Sequence, residues 1–187
     1  MSIITPYDSS QTAALFGCVS SGDMKALEEA LKKGADPDAS PILHAGDTIL
    51  EFACRELNAV AVRLLLEKGA NPNLGSFKPL CRAAASKDIV VLLLQHGADV
   101  NSKNENGHIY QGGGCPLHCA AMCGYADSAE ILVAAGADKT ARNQHNQTPL
   151  EVAKQQLEYL QTNGFGNPPD VELDIQHQLN RIITLLS

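Results

Sequence analysis

One short phrase, a glycine followed by alanine and then by aspartate or asparagine, occurs four times along the chain. Each copy follows a run of apolar residues with helical spacing. The copies are Gly34-Ala35-Asp36, Gly69-Ala70-Asn71, Gly97-Ala98-Asp99 and Gly136-Ala137-Asp138. Glycine suits the left-handed backbone conformation found just past the C-terminus of a helix. We therefore interpret the four copies as helix ends.

The beginnings of helices recur as well. Thr48 and Thr148 each precede a helical segment, and each is followed three residues later by a glutamate, which is the pattern of a capping box. The distance from Thr48 to Gly69 equals that from Cys115 to Gly136. Proline suits the first position of a helix, where its missing N–H is not needed, and we place three there: Pro79, Pro116 and Pro149. This regular pattern predicts a stack of helical repeats.

The segment from Cys115 to Gly124 resembles the ankyrin-repeat phrase Thr-Pro-Leu-His-x-Ala-Ala-x-x-Gly, with Cys in place of Thr. The segment from Thr148 to Ala153 matches its first half. The resemblance covers about residues 11–160. It implies an all-α ankyrin-repeat solenoid of about five helix-turn-helix repeats with projecting β-turn loops. We expect a single domain over residues 1–187, with repeats at about 11–43, 44–74, 75–104, 111–143 and 144–187.

The last repeat departs from this pattern after Ala153. The chain breaks at residues 163–169 and then resumes with apolar residues at helical spacing from Val171 to Leu186. Negative charge lies near the positive end of that helix, at Asp170, Glu172 and Asp174. Because the last repeat of a stack has an unpaired apolar face, we expect a C-terminal capping helix. A partner-binding helix is the alternative.

Turn lengths vary between the repeats, and insertions in such a stack map to the turns. The turn before Cys115 is the longest, a smaller insertion precedes Thr48, and the turn before Lys78 is shortened. These turns contain Ile42, Leu43, Phe77, His108, Ile109, Tyr110 and Gln111. Because apolar side chains at neighbouring tips cannot all reach the core, we expect a contiguous partner-binding patch. The alternative is that they fold back onto adjacent turns.

The first helices form the second part of the expected binding surface. The resemblance implies that the positions after the Ala-Ala pair of each first helix are exposed. They include Arg55, Glu56, Met122, Cys123, Gln155 and Gln156, and we assign His145 to the same surface. The residues are mixed in type and contain no catalytic set. We therefore expect a non-catalytic protein–protein interaction module that binds through its turn tips and concave first-helix face, as an adaptor or inhibitor.

The stretch from Cys115 to Cys123 is the alternative of another class, a metal-binding or enzymatic site, since it offers the ligand types of zinc. In the repeat pattern, however, His118 is the structural histidine near the helix start and Cys115 replaces a capping Thr. The stretch contains no Cys-x-x-Cys pair, and residues 112–114 lack the Lys and Ser or Thr of a phosphate-binding loop. We therefore expect no enzyme activity, metal or cofactor, and we expect Cys123, whose position in the repeat is exposed, to be the first thiol to test for reactivity.

Charge and hydropathy limit the partners. The formal net charge is −7, which disfavours binding to nucleic acid and permits a basic partner protein. No segment approaches the roughly 18 apolar residues of a membrane span, and the N-terminus lacks an export signal. We expect a cytoplasmic protein with reduced cysteines that contacts no membrane and is monomeric when unbound. An immunity-type inhibitor that occludes a basic toxin or enzyme is a further interpretation of the same charge.

Overall fold

The computed structural model describes residues 9–40, 47–104, 113–163 and 166–187. These ranges contain ten α-helices and no β-strand, which confirms the all-α prediction. The helices are α1 Ser9–Ser21, α2 Met24–Lys32, α3 Ile49–Arg55, α4 Ala59–Glu67, α5 Pro79–Arg82, α6 Lys87–Gln95, α7 Pro116–Cys123, α8 Ala126–Ala134, α9 Pro149–Asn163 and α10 Pro169–Leu186.

The helices pack as five consecutive pairs in two layers. Each odd-numbered helix packs against the even-numbered helix that follows it, and each helix also packs against its equivalent in the neighbouring repeat. The first layer is therefore α1, α3, α5, α7 and α9, and the second is α2, α4, α6, α8 and α10. Aliphatic and alanine side chains, fully buried at Leu50, Leu65 and Leu93, fill the space between the layers. This continuous core joins the repeats into one stack.

The local signals at the helix ends have the predicted geometry. The Glu51 N–H donates to Thr48 Oγ1 at 3.1 Å, and the Thr48 N–H donates to Glu51 Oε2 at 2.8 Å, which completes the capping box. Thr148 and Glu151 make the same pair of bonds. Each of the four glycines of the repeated phrase has a φ between +83° and +93°. The capping and helix-end predictions are therefore confirmed.

Hydrogen bonds also connect successive turns. At three repeat boundaries, a side-chain oxygen of one turn accepts a bond from a backbone N–H of the next. The bonds run from Asn71 N–H to Asp38 Oδ1 at 2.7 Å, from Asp99 N–H to Asn73 Oδ1 at 2.7 Å, and from Asp138 N–H to Asn101 Oδ1 at 2.8 Å. This ladder fixes the spacing of the turns, so side chains on neighbouring turns present a defined surface.

The C-terminal helix α10 covers the last repeats, as predicted. Leu179, Ile182 and Leu186 are buried, and α10 packs against both α8 and α9. The Arg181 guanidinium lies 3.0 Å from an Asp127 carboxylate oxygen and 2.7 Å from one of Glu130 on α8. The expected capping helix is confirmed. In the described part of the chain, no helix has the length and apolar character needed to cross a membrane.

Candidate partner-binding surface

The structure places the predicted first-helix residues at the ends of α3 and α7. Arg55 and Glu56 are exposed at the end of α3, whereas Met122 and Cys123 are half-buried at the end of α7. His145 is exposed in the turn before α9. The predicted tip residues of two turns, Ile42, Leu43, His108, Ile109, Tyr110 and Gln111, lie outside the described residues. Their part in a binding surface stays a prediction.

Met122 and His145 line one depression on the first-helix side of the last two repeats. Its volume is about 280 Å³, and its other lining residues are Gln147, Val152, Gln155 and Gln156. The Gln147 Nε2–H donates to Gln155 Oε1 at 2.7 Å. The lining combines amide donors and acceptors, an imidazole, a thioether and a buried valine floor. Gln147 was missed from the sequence because it belongs to the turn before the Thr148 cap.

Arg55 belongs to a different part of the surface. Its Nη1 lies 2.8 Å from Asp47 Oδ2, and the other oxygen of Asp47 lies 3.1 Å from Arg82 Nη2. Asp47 and Arg82 are both buried, so a buried ion pair fixes the position of the Arg55 guanidinium. Because α5 stands between α3 and α7 in the first layer, the structure does not bring Arg55 and Glu56 into the depression beside Met122.

Phe77 is buried, so the prediction that it projects from a turn tip is wrong. Its side chain is only 7% exposed, and the Arg82 guanidinium lies 4.0 Å from the centre of its ring. Its backbone N–H donates to Glu51 Oε1 of the preceding repeat at 2.8 Å. The shortened turn therefore holds Phe77 against the stack, and Phe77 contributes nothing to an exposed patch.

Cys115 and His118 complete a capping box at the start of α7. The Cys115 N–H donates to His118 Nδ1 at 3.3 Å, and the Cys115 Sγ lies 3.1 Å from the same nitrogen. His118 Nε2 lies 2.9 Å from the Gln147 carbonyl oxygen, which assigns the ring proton to Nε2 because only an N–H can donate to a carbonyl. Burial lowers the pKa of His118 and raises the pKa of Cys115. A neutral imidazole and a neutral thiol thus connect α7 to the turn before α9.

Cys123 is not the open, reactive thiol that its position in the repeat suggested. Its side chain is half-buried, and burial raises its pKa to about 11, so the thiol is protonated at neutral pH. Cys119, one helical turn earlier, is buried. Among the described residues, no three His, Cys, Asp or Glu side chains come together in a way that could hold a metal ion.

Two glycines close the base of the long turn onto the start of α7. Gly113 and Gly114 have φ values of +62° and +121°, and the Asn104 N–H donates to the Gly114 carbonyl at 2.9 Å. A Cβ on Gly113 would lie 2.8 Å from the Asn104 carbonyl oxygen, and one on Gly114 would lie 2.9 Å from the His118 ring. These two positions require glycine for steric reasons.

Comparisons with protein-family models identify the repeats independently. A model of ankyrin repeats in three copies matches residues 15–104, and a model of ankyrin repeats in many copies matches residues 80–133. Together the two matches run from the first helix pair into the fourth. The contacts of Cys115 and His118 therefore belong to a recurrent repeat structure.

Curated relatives come from animals and bacteria. The chain is 35% identical to ankyrin repeat and SOCS box protein 11 of Danio rerio over 62% of this chain and 39% of that protein. It is 38% identical to the B-cell lymphoma 3 protein homolog of Mus musculus, over 59% of this chain and 25% of that protein. Protein PhlB of Serratia liquefaciens is 30% identical over 80% of this chain and 65% of its own length. The chain thus spans about a quarter to two thirds of these proteins.

Proposed function

Because the chain belongs to the ankyrin-repeat family, whose repeats generally bind other proteins and are typically non-catalytic, we propose that it is an adaptor or inhibitor that binds one partner protein through its first helices and turn tips. The observation that carries this proposal is the depression that Met122, His145, Gln155 and Gln156 line together. Residues of α7, of α9 and of the turn before α9 meet there.

The chemistry of the depression suits an uncharged polar or small apolar group of a partner. Glutamine side chains offer both donors and acceptors of hydrogen bonds. Met122 adds an adaptable apolar contact, and Val152 forms an apolar floor. An apolar centre with a polar rim is the usual composition of a protein-binding site.

The long turn supports an extension of this surface. Its described base, the bridge between Asn104 and Gly114, lies beside Gln144, since a Cβ on Gly113 would come within 3.1 Å of the Gln144 Nε2. Gln144 directly precedes His145, which lines the depression. The described residues Asn104 and Gly113, on either side of residues 105–112, therefore lie near the turn that carries His145, and we include Tyr110 and its neighbours in the proposed surface.

The net charge favours a basic partner. With 21 acidic and 14 basic residues the chain attracts positively charged proteins at long range. Inhibition of a basic enzyme or toxin by occlusion is the second candidate function, and this charge supports it. A cytoplasmic location and a monomeric unbound state belong to the same proposal.

A matched pair of variants tests the surface. A bound protein is first isolated from a lysate with the wild-type chain, and its affinity is measured by titration calorimetry. Gln155→Arg places a long cation at the rim of the depression and should weaken binding by about tenfold or more. Val91→Arg adds the same positive charge to the second layer of helices, where Val91 is 37% exposed, and should leave the affinity unchanged. Equal affinities for the wild type and Gln155→Arg would refute the proposed site.

A further inference from the structure

Two buried thiols face each other across the boundary between the third and fourth repeats. Cys81 lies on α5 and Cys119 on α7, and the two side chains form a small cluster with Ala84. Cys81 is 1% exposed and Cys119 is 3% exposed. The helices that carry them pack against each other in the first layer. The cluster therefore brings together two sulfur atoms that are distant in the sequence.

The two side chains meet inside this one buried cluster, and the neighbouring Cys119 raises the pKa of Cys81. A disulfide needs an S–S distance of about 2.05 Å, so the two helices must let the sulfurs approach to that distance. The element that can adjust is α5. It contains only Pro79–Arg82, it continues as a short 3-10 turn, and it begins after Lys78, whose φ is +59° without a side-chain cap.

We propose that Cys81 and Cys119 are a site of oxidative modification and form a disulfide when the protein meets a peroxide. The thiolate of one cysteine attacks a peroxide oxygen, the O–O bond breaks, and a sulfenic acid and hydroxide result. The sulfur of the second cysteine then displaces the sulfenic oxygen, which leaves as water while the S–S bond forms. In total, two thiols and hydrogen peroxide give one disulfide and two waters, with two electrons passing from sulfur to oxygen.

The surroundings select this pair over the other thiols. Cys115 is engaged with His118, and Cys18 and Cys54 lie on α1 and α3, in the first and second repeats. Cys123 lies on the same helix as Cys119, one turn further along. The neighbouring Cys119 thiol and burial raise the pKa of Cys81, so oxidation is slow and proceeds through transient opening of α5.

A disulfide at this site would connect the third and fourth repeats covalently. It would restrict the unfolded chain between residues 81 and 119 and thereby raise the midpoint of thermal unfolding by about 5 to 10 °C. The bond would also hold α7, which carries Met122, against α5. This consequence does not depend on the identity of any partner protein.

The test is to expose the full chain to hydrogen peroxide, block the remaining thiols with iodoacetamide and map the bonds by peptide mass spectrometry. We expect one linked peptide pair, Cys81 with Cys119, which a reductant separates. Cys54→Ala should leave this product unchanged, and Cys119→Ala should abolish it while circular dichroism shows a folded chain. A disulfide between other cysteines, or labelled Cys81 and Cys119 beside an irreversibly oxidised Cys123, would overturn the proposal.

Discussion

Glu51 is a buried polar position where a substitution has a calculable cost, because its one carboxylate serves two repeats. Its oxygens accept separate bonds, from the Thr48 N–H within its own repeat and from the Phe77 N–H of the next, both at 2.8 Å. The side chain has no exposed surface. In Glu51→Gln, the amide oxygen can accept only one of these bonds, and the amide NH₂ group faces the other N–H.

The cost follows from these contacts. A hydrogen bond to a charged group is worth about 1.5–3 kcal/mol, and a buried unpaired donor costs about 1–3 kcal/mol. Part of this loss is offset, because the variant no longer buries a charged carboxylate. We therefore expect Glu51→Gln to lower the free energy of unfolding by about 3 kcal/mol. Glu151→Gln is the matched control, since Glu151 has the same place in its capping box but is exposed. Its effect should be much smaller.

The free energy of unfolding of both variants is measured by urea titration, with circular dichroism as the signal. The pH dependence supplies a second readout. Burial raises the pKa of Glu51, so the protonated form is favoured in the folded state, and stability from this group is lost as pH rises from its usual pKa through its folded value. The advantage of wild type over Glu51→Gln should therefore shrink as pH rises through that range. Equal losses in Glu51→Gln and Glu151→Gln would refute the reasoning.

Three further predictions concern strain, the long turn and charge. Leu57 has a φ of +53°, whereas glycine occupies the equivalent positions of the first and fourth repeats, and the Leu57 side chain is 48% exposed. Leu57→Gly should therefore raise the free energy of unfolding by about 0.5–1 kcal/mol. Leu74→Gly is the control and should not raise it, because Leu74 lies outside the left-handed region. A loss of stability in Leu57→Gly would contradict the strain argument. Tyr110→Ala should lower the affinity for the isolated partner by about tenfold and leave the unfolding midpoint unchanged. An unchanged affinity would show that the long turn is not part of the binding surface. Affinity for a basic partner should fall as salt rises, and salt-independent binding would count against electrostatic steering.

The sequence predicted the helix ends because their causes are local. Glycine past a helix end, proline at a helix start and a threonine followed three residues later by glutamate act within a single turn of chain. The structure confirms this geometry at Gly69, Pro116 and Thr48. The capping helix was predictable for a similar reason, since its apolar spacing is visible in α10 alone.

Contacts between repeats escaped prediction because their partners lie far apart in the sequence. Phe77 looked exposed in a shortened turn, but Glu51 of the preceding repeat and Arg82 hold it in the stack. The thiol contact of Cys81 with Cys119 depends in the same way on how α5 and α7 pack. Cys123 looked accessible from its repeat position, whereas the fold leaves it half-buried.

The affinity of the isolated partner for the Gln155→Arg and Val91→Arg variants tests the central claim most directly. Both variants carry the same new charge, one at the depression beside Met122 and His145 and the other on the second layer. If the partner binds the first-helix surface, Gln155→Arg alone lowers the affinity, by about tenfold or more. Unchanged binding by Gln155→Arg, or an equal loss in Val91→Arg, would contradict it.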